Sequence, residues 1–213
     1  MPLAFPRLYV IMDAALTGLP AARLAETLAS AGAELIQYRD KKARSRELYE
    51  TCRELALQLQ GSSARLIVND RADVAALVEA GGVHVGQDDL PADAARAIVG
   101  PERWVGCSTH TLDQVRQADS SPVDYIAFGP IFPTTTKQPL DPTVGIDGLR
   151  RARALTQKPL VAIGGITLVR VEEVWRAGAD SVAVARDVVG AADPAARVRE
   201  FSARAAEVFG NPL

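Results

Sequence analysis

Residues 160–185 read LVAIGGITLVRVEEVWRAGADSVAVA. Two short β-branched runs, Leu160–Ile163 and Ser181–Ala185, flank a helical segment from Thr167 to Gly178. Glycines sit at both junctions: Gly164-Gly165 follows the first run, and Ala177-Gly178 closes the helix. The runs are apolar rather than alternating, as expected for parallel strands covered on both faces. The stretch is one strand-turn-helix-turn-strand unit.

The unit recurs along the chain. Further candidate strands are Leu8–Met12, Glu34–Tyr38, Arg65–Asn69, Val83–Val85, Trp104–Cys107 and Tyr125–Phe128. Successive starts lie about 25 residues apart, the length of one β/α unit. Between them, Pro20–Gly32 starts on proline and spaces Leu24 and Leu28 four apart. Ser45–Gln60 offers Ser45 as its N-cap and places Leu48, Cys52, Leu55 and Leu59 on one face. Arg71–Gly81, Thr111–Ala118 and Ile146–Leu155 continue the series, and Pro194–Phe209 closes it. A weak repeat, AGAELI at Ala31, AGGVHV at Ala80 and AGADSVAV at Ala177, marks three helix-to-strand turns. Eight strands with interleaved helices predict an α/β fold, a single (β/α)8 TIM barrel spanning residues 1–213. The alternative is an open doubly wound sheet, but no GxGxxG follows the first strand.

Composition narrows the partners. The 213 residues carry 24 Lys plus Arg and 26 Asp plus Glu, a formal net charge of -2. No basic field exists to hold nucleic acid or an acidic membrane surface. No apolar run approaches the ~20 residues of a membrane span, and the N-terminus lacks a secretory pattern. Two cysteines are too few for a disulfide framework, so a reducing cytoplasm is the expected setting. Homo-oligomerisation is left open.

In a barrel of this kind, chemistry gathers at the strand C-termini. The residues there are Gln37, Arg39 and Lys41; Asn69 and Asp70; Gln87, Asp88 and Asp89; Ser108, Thr109 and His110; Thr134 to Lys137; Gly164-Gly165; and Arg186. Three cations, Arg39, Lys41 and Lys137, beside hydroxyls suit a polyanion such as diphosphate. Asp70 and Asp89 would repel unless bridged, and magnesium bridges carboxylates and phosphate oxygens. Gly164-Gly165 and the turn after the last strand suggest a second phosphate site. Each residue has an ordinary structural reading as well. Arg-x-Lys is commonly a solvated face, Asp70 a helix N-terminal acid, and Asp88-Asp89 a cap. His84 reads as a packed or hydrogen-bonded histidine, and Cys107 as small core filler. Those readings would have to place every polar exception on one end of the barrel.

The segments QYRDK, VNDR, GVHVGQDDL, GCSTH, GPIFPTTTK, VGIDGL and AIGGI resemble the thiamine-phosphate synthase family over nearly the whole chain. The resemblance implies a transferase that joins 4-amino-5-hydroxymethyl-2-methylpyrimidine diphosphate to a thiazole phosphate, plain or carboxylated. It implies that Gln37, Tyr38, Arg39, Asp40, Lys41, Asn69, Ser108 and Lys137 hold the pyrimidine diphosphate. It implies Arg39, Lys41, Ser108 and Lys137 as the catalytic set. Asp70 and Asp89 would ligate one Mg2+. Thr134, Thr135, Thr136, Gly165, Ala185 and Arg186 would hold the thiazole phosphate. Two positions depart from the common pattern. Arg186 stands where serine is frequent, and Tyr38 stands where an aliphatic residue is frequent. A strand turns Tyr38 away from Gln37 and Arg39, which predicts little catalytic effect. A thiazole tautomerase on the same fold would need neither the diphosphate clamp nor the paired carboxylates. A non-catalytic phosphate-binding barrel would show gaps in the first site, and none is present.

Overall fold

The computed structural model describes residues 5–134 and 142–210. Strands β1 (Leu8–Asp13), β2 (Leu35–Arg39), β3 (Arg65–Asn69), β4 (Gly82–Val85), β5 (Trp104–Thr109), β6 (Tyr125–Phe128), β7 (Leu160–Ile163) and β8 (Ser181–Val184) close into a barrel in chain order. Every neighbouring pair is parallel, including β8 against β1. Helices α1 (Ala21–Ser30), α2 (Ser45–Gln58), α3 (Ala72–Leu77), α4 (Ala92–Val99), α5 (Leu112–Asp119), α6 (Gly145–Arg153), α7 (Val171–Arg176), α8 (Arg186–Val189) and α9 (Pro194–Phe209) form the outer layer. The expected (β/α)8 barrel is the observed fold, and the open sheet is set aside.

The period-2 alternation divides the strands between two cores. Val10, Met12, Ile36, Val68, Val83, Ile126 and Phe128 point outward into the helix layer. Tyr9, Ile11, Leu35, Ile67, Tyr125, Ala127, Val161 and Ala183 fill the barrel. Phe5 closes its N-terminal end, its ring stacked on Trp104 at 5.1 Å between centroids.

The same device ties two strand pairs at that end. The N–H of Asp124 donates to the Val105 carbonyl at 2.8 Å, and the Asp124 carboxylate accepts from the Val105 N–H at 2.6 Å. Asp180 does the same with Leu160, at 2.9 and 2.8 Å. An arginine from the helix layer completes each, Arg96 on Asp124 and Arg153 on Asp180. Charge-assisted bonds of this kind are among the stronger ones available to a surface pair.

Local boundaries differ from expectation for physical reasons. Arg44, not Ser45, is the N-cap of α2, because the Glu47 carboxylate reaches back to the Arg44 N–H at 2.9 Å. The Ser45 hydroxyl instead accepts from Arg71. β5 runs on to Thr109, so Ser108 is a strand residue facing the mouth. The repeat at Ala80 is also differently built. The left-handed residue after α3 is Glu79, at φ 55, where α1 and α7 use Gly32 and Gly178. Gly81 serves another purpose: a Cβ there would lie 2.1 Å from Arg65 Cγ.

Candidate active site

The C-terminal ends of β1 to β5 bring most of the expected residues together. Arg39 ends β2 and forms an ion pair with Asp13, which ends β1 and is only 2 % exposed. The other Asp13 oxygen accepts from the Ala15 N–H at 2.9 Å, so the carboxylate is fixed from two sides. Asp13 was not among the expected site residues. Its only signal is an acid terminating a fully apolar strand.

Lys41, after β2, pairs with Asp70, after the neighbouring β3. Asp70 follows β3 in the left-handed region, φ 63, with its N–H bonded to the His84 carbonyl at 2.7 Å. A non-glycine residue in that region is uncommon and costs free energy unless its surroundings hold it there. The turn aims the Asp70 carboxyl at Asp89. Burial and the Asp89 carboxylate raise the Asp70 carboxyl above its ordinary range, with Lys41 opposing. Burial also works against ionisation of Asp89, but hydrogen bonds from Asp70 and the Gly86 N–H outweigh it and hold Asp89 low. The Gly86 contact is 2.8 Å.

That pairing tests the expected metal. Two carboxylates meet at one rim position, and a divalent cation offsets the repulsion between them. Magnesium takes one or two carboxylates and completes its shell with phosphate oxygens and water. The donor set therefore fits the ion.

Ser108 faces the mouth from β5, its Oγ 2.9 Å from Nε2 of His84. His84 is the hydrogen-bonded histidine the sequence suggested. Gln87 donates to the Ser108 carbonyl at 2.5 Å and steadies the strand end. Asn69 ends β3 in register with His84. Gln37 is buried inside the barrel, its amide nitrogen bonded to the Tyr9 hydroxyl at 2.7 Å.

Tyr38 and Asp40, which the resemblance assigns to the pyrimidine diphosphate, each have partners within the protein. Tyr38 lies on the outward face and packs in the helix-side core. Its phenol meets Thr51 and Asp40 there, and burial pushes it up to about 12. The Asp40 carboxylate accepts from the N–H groups of Lys42 and Ala43 at 2.8 and 3.0 Å and so shapes the loop.

The opposite side of the mouth is built on glycine. Gly164 and Gly165 have φ of 99 and 63, and the segment after β6 lies directly on them. A Cβ on Gly164 would meet Pro130 Cβ at 2.4 Å, and one on Gly165 would meet the Pro133 carbonyl oxygen at 2.6 Å. Backbone bonds from Ile131 to Ile163 (2.8 Å) and from Phe132 to Gly164 (3.0 Å) hold the segment in place. This seat carries the chain to Thr134. Thr135, Thr136 and Lys137 lie outside the described residues. Ala185 caps the short helix α8, and Arg186 is its exposed first residue.

A closed β/α barrel whose mouth gathers Arg39, Lys41, Asp70, Asp89 and Ser108 defines a barrel enzyme. The family model for thiamine monophosphate synthase matches residues 8–188. A thiamine-phosphate synthase of Koribacter versatilis (strain Ellin345) is 48% identical over 93% of this chain and 95% of its own. One of Chloroflexus aurantiacus is 44% identical over 92% and 91%. The solved structure of a thiamine phosphate pyrophosphorylase from Pyrococcus furiosus superposes with a TM-score of 0.88 at 35% identity, covering 96% and 97%. The chain belongs to the thiamine monophosphate synthase family. Its members are alkyl-transferring enzymes of thiamine biosynthesis.

Proposed function

We propose that the barrel mouth condenses the pyrimidine diphosphate with the thiazole phosphate to give thiamine phosphate and diphosphate. The observation that carries this reading is the convergence of Arg39, Lys41, Asp70, Asp89 and Ser108 on one rim. The bond from the pyrimidine methylene carbon to the diphosphate oxygen breaks, and its electron pair leaves with the diphosphate. The thiazole nitrogen then donates its lone pair to the methylene carbon. Negative charge grows on the leaving group as that bond stretches, and Arg39, Lys41 and the Ser108 hydroxyl are placed to meet it. Asp13 keeps the Arg39 guanidinium oriented. Asp70 and Asp89 would hold one Mg2+, which supplies charge to the leaving diphosphate. Thr134 and Gly165, with Ala185-Arg186, would hold the thiazole phosphate opposite and provide the proximity of the two reactants. No protein nucleophile is required.

The test is to incubate both precursors with the protein and magnesium and to separate the products by chromatography. Thiamine phosphate that forms, and that stops forming with a chelator, supports the reading. A folded protein that makes none, but interconverts thiazole tautomers, would move it to the tautomerase class.

The reading extends to setting and assembly. No helix among the described residues is long and apolar enough to cross a membrane. Both cysteines are free, consistent with a reducing cytoplasm. Whether exposed apolar side chains such as Leu77 and Val169 support self-association is settled by sedimentation.

A further inference from the structure

Polar side chains cross the barrel interior in one hydrogen-bonded line. Gln37 Nε2 donates to the Tyr9 hydroxyl at 2.7 Å, and that oxygen lies 2.9 Å from the Tyr125 hydroxyl. The Tyr125 hydroxyl lies 3.1 Å from Nδ1 of His84, and Nε2 of His84 lies 2.9 Å from Ser108 Oγ. The line draws on β2, β1, β6, β4 and β5 in turn, and both ends are residues that the family resemblance assigns to the pyrimidine diphosphate site. The middle three, Tyr9, Tyr125 and His84, have no role in that site so far.

We propose that Tyr9, Tyr125 and His84 are positioning residues that lock the hydrogen-bond polarity of Gln37 to that of Ser108. Ser108 then offers its hydroxyl hydrogen to the diphosphate only while Gln37 turns its carbonyl oxygen to the pyrimidine. This deepens the function proposed above and rests on it.

With a neutral His84 ring, donor and acceptor chemistry couples the two ends. An amide nitrogen has only hydrogens to give, so the Tyr9 oxygen accepts and its own hydrogen passes to Tyr125. The Tyr125 hydrogen passes to Nδ1 of His84. A neutral imidazole accepting at Nδ1 carries its hydrogen on Nε2 and gives it to Ser108. The Ser108 hydrogen is left over for an anion, and Gln37 keeps Oε1 for the ligand. Reversing the amide reverses every bond and leaves Ser108 facing the ligand as an acceptor, which repels phosphate. Tyr9 and Tyr125 are 1% and 0% exposed, so a bond out of sequence would leave a buried group unsatisfied. Burial raises both phenols well above their ordinary range and keeps them protonated. Strand β5 makes room for the line: a Cβ on Gly106 would lie 2.4 Å from the Tyr125 hydroxyl oxygen.

The test has two arms. The protein contains two histidines, so 15N-histidine labelling yields two rings to read without any substrate. His110 Nδ1 lies 2.6 Å from the Gly129 carbonyl oxygen and carries its hydrogen there. The expected spectrum has one ring of each tautomer, with the His84 hydrogen on Nε2. A His84 ring with its hydrogen on Nδ1, or with hydrogens on both nitrogens, overturns the proposal. This arm stands even if the wild-type protein makes no thiamine phosphate, an outcome that would fell only the functional reading. In the second arm, Tyr125→Phe keeps the ring and cuts the line. It is expected to lower kcat/KM for the pyrimidine diphosphate about tenfold, with KM for the thiazole phosphate unchanged. Unchanged turnover, or equal losses toward both substrates, would mean the tyrosine only fills space.

Discussion

The Tyr125 ring rests against the α-carbon of Gly106 so closely that a Cβ there would lie 2.0 Å from the ring's Cζ. The two residues face each other across neighbouring strands in register, Gly106 on β5 and Tyr125 on β6. Glycine is required here for clearance, not for backbone freedom. Gly106→Ala must push the ring aside, at a cost of about 1–3 kcal/mol. Urea unfolding measures that loss, and a variant as stable as the parent would show that the ring has somewhere else to go.

Asp13 is expected to matter to turnover although it meets no proposed ligand. Asp13→Asn keeps an oxygen for the Ala15 N–H and removes the charge that orients Arg39. A hydrogen bond to a charged group contributes about 1.5–3 kcal/mol, so kcat/KM should fall roughly tenfold to a hundredfold. Steady-state kinetics with the pyrimidine diphosphate as varied substrate decides it; parent-like values would mean Arg39 is held by other means.

The paired carboxylates predict a metal phenotype. Asp70→Asn and Asp89→Asn should each raise the magnesium concentration needed for half-maximal turnover by about tenfold or more. Titrating magnesium into chelator-treated protein gives the curves. Superimposable curves for parent and variants would remove both residues from the ion's shell.

Glu79 offers a gain in stability. It occupies the left-handed position that Gly32 and Gly178 fill elsewhere in the chain. Glu79→Gly relieves a conformational cost and should add about 1 kcal/mol. In a protein of this size that raises Tm by about 2–4 °C. Calorimetry with no rise, or a fall, would show that the Glu79 side chain offsets its own strain.

The barrel was legible because its signals are local. Runs such as LVAI and SVAVA, each bounded by a glycine turn, carry their strand character in adjacent residues. Periodicity also turned Tyr38 outward correctly, since neighbours in a strand face opposite ways. It could not name partners. Tyr9 and Tyr125 look like ordinary strand aromatics, and their bond joins residues 116 positions apart. Asp13 and Arg39 likewise meet only after β1 and β2 pair. The α2 cap falls one residue before Ser45 because the Glu47 side chain, from within the helix, accepts from the Arg44 N–H. The positions of Asp70 and Asp89 could be listed from strand ends, but their close approach depends on a left-handed turn that no motif announces.

The twin ties at Asp124 and Asp180 sit at the end of the barrel away from the mouth. Each pins the start of one strand to the start of its neighbour, with an arginine from the helix layer across it. Foundation and workshop thus occupy opposite floors of the same building. A substitution that strengthens either tie touches none of the residues at the mouth.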